Sequence, residues 1–192
     1  GVISGTPTLV SSTSIYTVTA LNSGGSTSFG VSITVNDVAP LALSYNSPNV
    51  FTVGSSIANL VPTFTGNITS FSITPSLPSG LSFDTTSGVI SGTPNVVSVA
   101  AIYTVTAFNS GGSTSFGVSI TVNDVAPSTL SYPSPNVFTK GQTITALSPS
   151  ISGSVISYSI APSLPSGFSF DTTSGVISGT PTLVSSTSIY TV

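Results

Sequence analysis

Any chemistry in this chain has to rest on four aspartates, Asp37, Asp84, Asp124 and Asp171, and on one lysine, Lys140. His, Cys, Arg and Glu do not occur. A general acid–base pair needs two carboxyl groups in one place. Here that would require Asp84 to meet a linker aspartate such as Asp37 or Asp124. Ser and Thr hydroxyls are abundant, but a hydroxyl becomes a nucleophile only beside a base, and the sequence supplies none. No catalytic site is expected, and the aspartates read as turn-formers whose carboxylates accept nearby backbone N–H groups. Lys140 would need a buried acid to form an isopeptide bond. One repeat earlier its position is Val53, so it reads as a surface lysine.

Charge narrows the partners. Charged residues make up 3% of the chain and the net charge is −3, against roughly 25% charged residues in ordinary domains. A single cation cannot neutralise a phosphate backbone, which excludes nucleic-acid binding and leaves no electrostatic hold on anionic lipid. No run of apolar residues is long enough to span a bilayer, so no direct membrane insertion is expected. Without cysteine, disulfides and thiolate metal sites are ruled out. The 39% apolar content and its alternation argue for folded structure over disorder.

The elements that position these residues repeat. Gly-Val-Ile-Ser-Gly-Thr-Pro begins at Gly1, Gly88 and Gly175, and 88 − 1 = 175 − 88 = 87. Asp37 and Asp124, like Asp84 and Asp171, obey the same offset. A fixed period of this kind marks a tandem array in which one unit is one fold. Taking Asn-Asp-Val-Ala-Pro as the linker (Asn36–Pro40 and Asn123–Pro127) gives three pieces. Residues 1–39 are the back half of one unit, 40–126 a complete unit, and 127–192 the front part of a third. Half units would expose their cores, so the sequence reads as a stretch of a longer chain. A rival expectation is that open ends on neighbouring chains complete each other by strand donation.

Within the complete unit, Leu43, Tyr45, Val50 and Phe51 lie in an extended segment broken at Pro48, since proline cannot donate to a ladder. Ile57–Phe64 and Ile68–Ile73 are expected to be strands, followed by the short runs Leu81–Phe83 and Val89–Ser91. Tyr103, Val105 and Ala107 alternate with threonines. After Asn109-Ser110-Gly111-Gly112, Phe116, Val118, Ile120 and Val122 alternate with Ser and Thr. Period two with one apolar face predicts a half-buried antiparallel hairpin closed at the glycines. About seven strands in this length and no helical period predict an all-β sandwich. Substitutions between repeats (Phe71 to Tyr158, Leu81 to Phe168, Phe64 to Ile151, Ile68 to Val155) mark expected core positions. Val53 to Lys140, Ser55 to Gln142 and Asn46 to Pro133 mark expected exposed ones.

Leu77–Pro94, Tyr103–Ala107 and Asn109–Ser113 together resemble the immunoglobulin-like, cadherin-like repeat of bacterial surface proteins. The Ser/Thr-rich, charge-poor character is similar to giant adhesins of the Bacteroidota, including gliding-motility adhesins of the SprB type exported by the type IX system. The resemblance implies a cell-surface stalk that extends a distal module. Its partners would be neighbouring repeats of the same chain; repeats that bind surface glycans or associate laterally are the alternative. It also points to calcium at the linkers, with Asn36, Asp37, Asn123 and Asp124 as candidate ligands. Calcium takes six to eight oxygens with several carboxylates, however, and each linker offers one. The aspartate usual before the last hairpin is here Asn109, and no cofactor is expected. Asp84-Thr85-Thr86 and Asp171-Thr172-Thr173 resemble the O-glycosylation segments of that group, making Thr85 and Thr172 candidate attachment sites. Tyr45, Tyr132 and Phe108 are the aromatics whose exposure would favour carbohydrate binding.

Overall fold

The computed structural model describes all residues, 1–192. The chain is all β and divides into two compact units, Gly1–Asn123 and Asp124–Val192.

In the first unit, β1 (Ser11–Asn22) and β2 (Gly25–Val35) form an antiparallel hairpin. The central repeat follows, with β3 (Leu41–Ser44), β4 (Asn49–Thr52), β5 (Thr63–Thr65), β6 (Ser70–Thr74), β7 (Leu81–Phe83), β8 (Ile90–Gly92), β9 (Ser98–Asn109) and β10 (Gly112–Asn123). One layer is a four-stranded sheet in the order β4-β10-β9-β6. In it β4 runs parallel to β10, and β9 is antiparallel to both β10 and β6. The facing layer is assembled from two short ladders, β3–β5 and β7–β8, with Leu60 bridging to Ile90. The alternation read from the sequence decides which side chains meet between the layers. Tyr103, Val105 and Ala107 from β9 and Val118, Ile120 and Val122 from β10 are buried against Leu43, Tyr45, Leu60, Phe71 and Ile90. Val105, Val118, Ile120 and Ile90 retain no exposed surface.

Several expectations give way in the facing layer. Residues 57–62 form no strand; only Thr63–Thr65 enters a ladder. Ile57 and Leu60 both turn to the core three positions apart, a spacing that a period-two strand cannot satisfy, and the buried Pro62 has no N–H to donate. The second strand is Ser70–Thr74 instead of Ile68–Ile73, although Ile68 packs on the core. Phe64 is 42% exposed and is not a core residue; its ring packs edge-to-face with Phe71, centroids 5.9 Å apart. Val53, expected outside, is half-buried against the core. Asn46 and Ser55 are exposed, as expected.

The second unit repeats the facing layer with β11 (Ser128–Ser131), β12 (Ser150–Ser152), β13 (Phe168–Phe170) and β14 (Ile177–Gly179), paired β11–β12 and β13–β14. The counterpart of the β9 segment begins at Ser185, and within residues 185–192 its only pairing is the bridge Thr191–Ala161. The counterparts of β4 and β6 consequently lie in no ladder.

Candidate functional site

Two loops of the first unit converge at the linker. Asn-Ser-Gly-Gly was read as a tight turn, and the turn is there: the Asn109 Oδ1 accepts the N–H groups of Gly111 at 2.8 Å and Gly112 at 3.1 Å. The same side chain does more. Its Nδ2 donates to the Val38 carbonyl at 2.6 Å and to the Asn67 carbonyl at 2.9 Å. The backbone N–H of Asp37 donates to the Ser110 hydroxyl at 2.9 Å. The linker is therefore bound to the tip of the β9–β10 hairpin and, through Asn109, to the β5–β6 turn. Gly111 is required for close approach, because a Cβ there would run into the Asp37 carbonyl and lie 2.8 Å from the Ala39 N. Pro40, next in the chain, is fully buried. Sequence reasoning found the turn and missed the clamp, because its partners lie 42 and 71 residues away. A usable signal was present in the sequence: Asn in place of an acid before the hairpin. Only an amide can accept from the turn and donate to two carbonyls at once.

The same tetrapeptide at Asn22–Gly25 closes its own hairpin, with Gly24 N–H donating to Asn22 Oδ1 at 2.8 Å.

The calcium candidates do not assemble. Asp37 Oδ1 accepts the Val38 N–H and Asp124 Oδ1 the Val125 N–H, each at 2.8 Å. Asn36 precedes Asp37 at the end of β2, and Asn123 ends β10. No three acidic groups come together, and the group that meets the converging carbonyls of Val38 and Asn67 is the amide N–H₂ of Asn109. These residues do not fit a calcium site, which needs several carboxylates around one point.

The glycosylation candidates sit on Asx turns. Asp84 Oδ1 accepts the N–H of Thr86 at 2.7 Å and of Ser87 at 3.2 Å. Asp171 does the same with Thr173 at 2.8 Å and Ser174 at 3.3 Å. The backbone N–H donors at Thr86 and Thr173, with those at the following serines, hold both carboxyls below the ordinary aspartate range. Thr85 and Thr172 are exposed, and their backbone carbonyls accept from Phe71 N and Tyr158 N at 2.7 Å.

Tyr45 is buried, and its hydroxyl donates to the Gly88 carbonyl at 2.6 Å; Tyr132 makes the same bond to Gly175 at 2.6 Å. Burial pushes both phenols above their ordinary pKa, with Tyr158 adding to the effect at Tyr132. Phe108, at 37% exposure, is left as the outward aromatic of the three. Lys140 is exposed in a turn beside Gly141, whose N–H donates to the Pro181 carbonyl.

Comparison with known proteins gives a family match over both units. Residues 33–123 and 126–192 each match the He_PIG family, described as "Putative Ig domain". Among curated proteins the chain is 31% identical over 143 residues to the "Serine-rich adhesin for platelets" of Staphylococcus aureus strain MRSA252, which covers 71% of this chain and 10% of that protein. It is 32% identical over 117 residues to the protein of the same name in strain N315, covering 59% of this chain and 5% of that protein. The chain thus spans a tenth or less of the length of these relatives. Solved structures similar to it include titin domains I67–I69, at 17% identity and TM-score 0.44, covering 88% of this chain and 64% of that one. Protocadherin gamma B7 cadherin domains 1–4 match at 14% identity and TM-score 0.38, covering 93% of this chain and 58% of that one.

Proposed function

The chain belongs to the He_PIG family of immunoglobulin-like domains, and from that premise we propose that it is a stalk segment of a large extracellular adhesin, its repeats carrying a distal module away from the cell. The observation that carries this reading is the clamp at Asn109. A free tether would leave Asp37–Ala39 solvated, whereas here each linker residue from Asp37 to Pro40 is hydrogen-bonded to, or packed against, the domain that follows. A linker held this way transmits orientation from repeat to repeat, which a spacer under load requires. The charge-poor surface and the absence of a catalytic constellation agree with a mechanical role. The adhesin named among its relatives supports the surface location.

The finer placement, among glycosylated gliding adhesins of the Bacteroidota, is supported by the exposed Asp-Thr-Thr turns. A glycan on Thr85 or Thr172 would hydrate a surface with few charges. The partners in this reading are neighbouring repeats of the same chain.

Electron microscopy of a longer array tests the stalk. At about 3.3 Å per strand residue a sandwich plus its loops adds about 40 Å per repeat, so rods lengthening by that step are expected. Collapsed beads-on-a-string particles would refute a held linker. Glycan-array binding by the repeats alone would transfer the adhesive role to them. Mass mapping of native protein tests the finer placement through sugar additions at Thr85 and Thr172.

A further inference from the structure

The linker joins the central repeat in two ways, and the two carry tension differently. Covalently it runs on from Pro40 into β3. By hydrogen bonds it is fastened to the tip of the β9–β10 hairpin. The Asp37 N–H donates to Ser110 Oγ at 2.9 Å, and Asn109 Nδ2 donates to the Val38 carbonyl at 2.6 Å.

A pull along the two routes meets different obstacles. β3 is held to β5 by two pairs, Leu41 with Thr65 and Ser44 with Thr63, with an irregularity between them. Beyond it, β4 is held to β10 by four parallel pairs, from Asn49 with Ile120 to Thr52 with Asn123, and by the Ser119 N–H on Ser47 Oγ at 2.9 Å. Tension that enters at Leu41 works on these short ladders in turn. Tension that enters at Ser110 meets a single covalent strand. β10 starts at Gly112, lies between β4 and β9 in its sheet, and ends at Asn123, where the next linker begins. No ladder has to slide for that strand to carry a pull along its length, because its neighbours only brace it from the sides.

We infer that the clamp is a tension bypass. While Asp37 and Val38 are held at Ser110 and Asn109, a pull on the linker passes from the hairpin tip along β10 to Asn123, and β3 is spared. The close approach that Gly111 permits, where a Cβ would run into the Asp37 carbonyl, keeps the linker backbone against the tip. Opening the clamp hands the pull to β3, and unfolding then proceeds through the β3–β5 and β4–β10 ladders. The lifetime of the folded repeat under tension is therefore set by the fraction of time the clamp is open. The inference rests on the stalk reading for the source of the tension, whereas the route is a property of one repeat.

The absence of cysteine lets the pulling points be chosen in the 192-residue chain. Thiol-linked handles at Asn36→Cys and Val125→Cys, both exposed positions, pull through the clamp. Handles at Leu41→Cys, also exposed, and Val125→Cys pull on β3 directly. At one constant force in optical tweezers the central repeat is expected to stay folded about tenfold longer in the first geometry, because two hydrogen bonds must open together. Ser110→Ala removes the acceptor for the Asp37 N–H and leaves the Asn109 turn in place. It should shorten the first lifetime about threefold and leave the second unchanged. Equal lifetimes for the two geometries overturn the inference. So does Ser110→Ala acting on both alike, the mark of a contact that only stabilises the fold, or acting on neither. Rods or collapsed particles in the electron microscope decide the stalk reading separately, so either can fail without the other.

Discussion

Replacing Asn109 by Asp tests the clamp with almost no change of shape. The carboxylate keeps an acceptor for the Gly111 and Gly112 N–H groups, so the turn is preserved. What is lost is the pair of donations to Val38 and Asn67, at 2.6 and 2.9 Å, and an anionic oxygen then faces two carbonyls. A net hydrogen bond contributes about 0.5–1.5 kcal/mol. Because Asn109 is only half-buried, the low end applies, giving a loss of about 1–2 kcal/mol at neutral pH. For a domain of this size that lowers the melting temperature by about 4–15 °C. The loss depends on pH. The Gly111 and Gly112 N–H groups lower the pKa of the new carboxyl, as the same kind of turn does at Asp84, while the two carbonyls raise it. Beside Asn22→Asp, where the tetrapeptide holds no linker and only the turn acts, the Asn109→Asp carboxyl therefore has the higher folded pKa. Once protonated, it can again donate to one carbonyl. The stability of Asn109→Asp relative to Asn22→Asp should be highest in acid and fall as pH rises through the carboxyl titration. Calorimetry of both variants at acid and neutral pH measures this. Equal melting of Asn109→Asp and the parent at neutral pH, or a difference between the two variants unchanged by acid, would refute the clamp.

Further outcomes follow from the same geometry. Tyr45→Phe removes the buried donor to the Gly88 carbonyl and should cost about 1–2 kcal/mol in denaturant titration; Tyr132→Phe, in the more open unit, should cost less, and the reverse order would contradict the burial described. Gly88→Ala should cost about 2–4 kcal/mol, since Gly88 sits at φ +73° and a Cβ would lie 2.9 Å from both the Phe71 ring and the Tyr45 hydroxyl. A circular-dichroism melt matching the parent would show that the loop simply shifts. The Asp84 and Asp171 carboxyls are held below their ordinary pKa. Their contribution is therefore present above the unfolded value and lost as pH falls through the depressed one. Asp84→Asn with Asp171→Asn keeps the acceptors uncharged and should flatten the acid limb of the stability profile; an unchanged limb would refute a role for these two turns in acid sensitivity.

The repeat, the all-β class and the central hairpin were legible from the order of residues alone. Tyr103–Ala107 and Phe116–Val122 alternate, so a local pattern was enough to give their facing, with Gly111 and Gly112 marking the reversal. The break at Pro48 was equally local, because it follows from a missing N–H. The facing layer, by contrast, took its form from packing. Its ladders are three or four residues long, too short to show a period, and Ile57, Leu60 and Pro62 reach the core from irregular backbone because the opposite sheet leaves them space. The same holds for Val53, whose burial depends on what packs over it, and for Phe64, whose apolar side chain is left at the rim. Asn109 shows the division within one residue. Its acceptor closes a turn two residues away and was legible in the chain, while its donors hold a linker that only folding brings within reach.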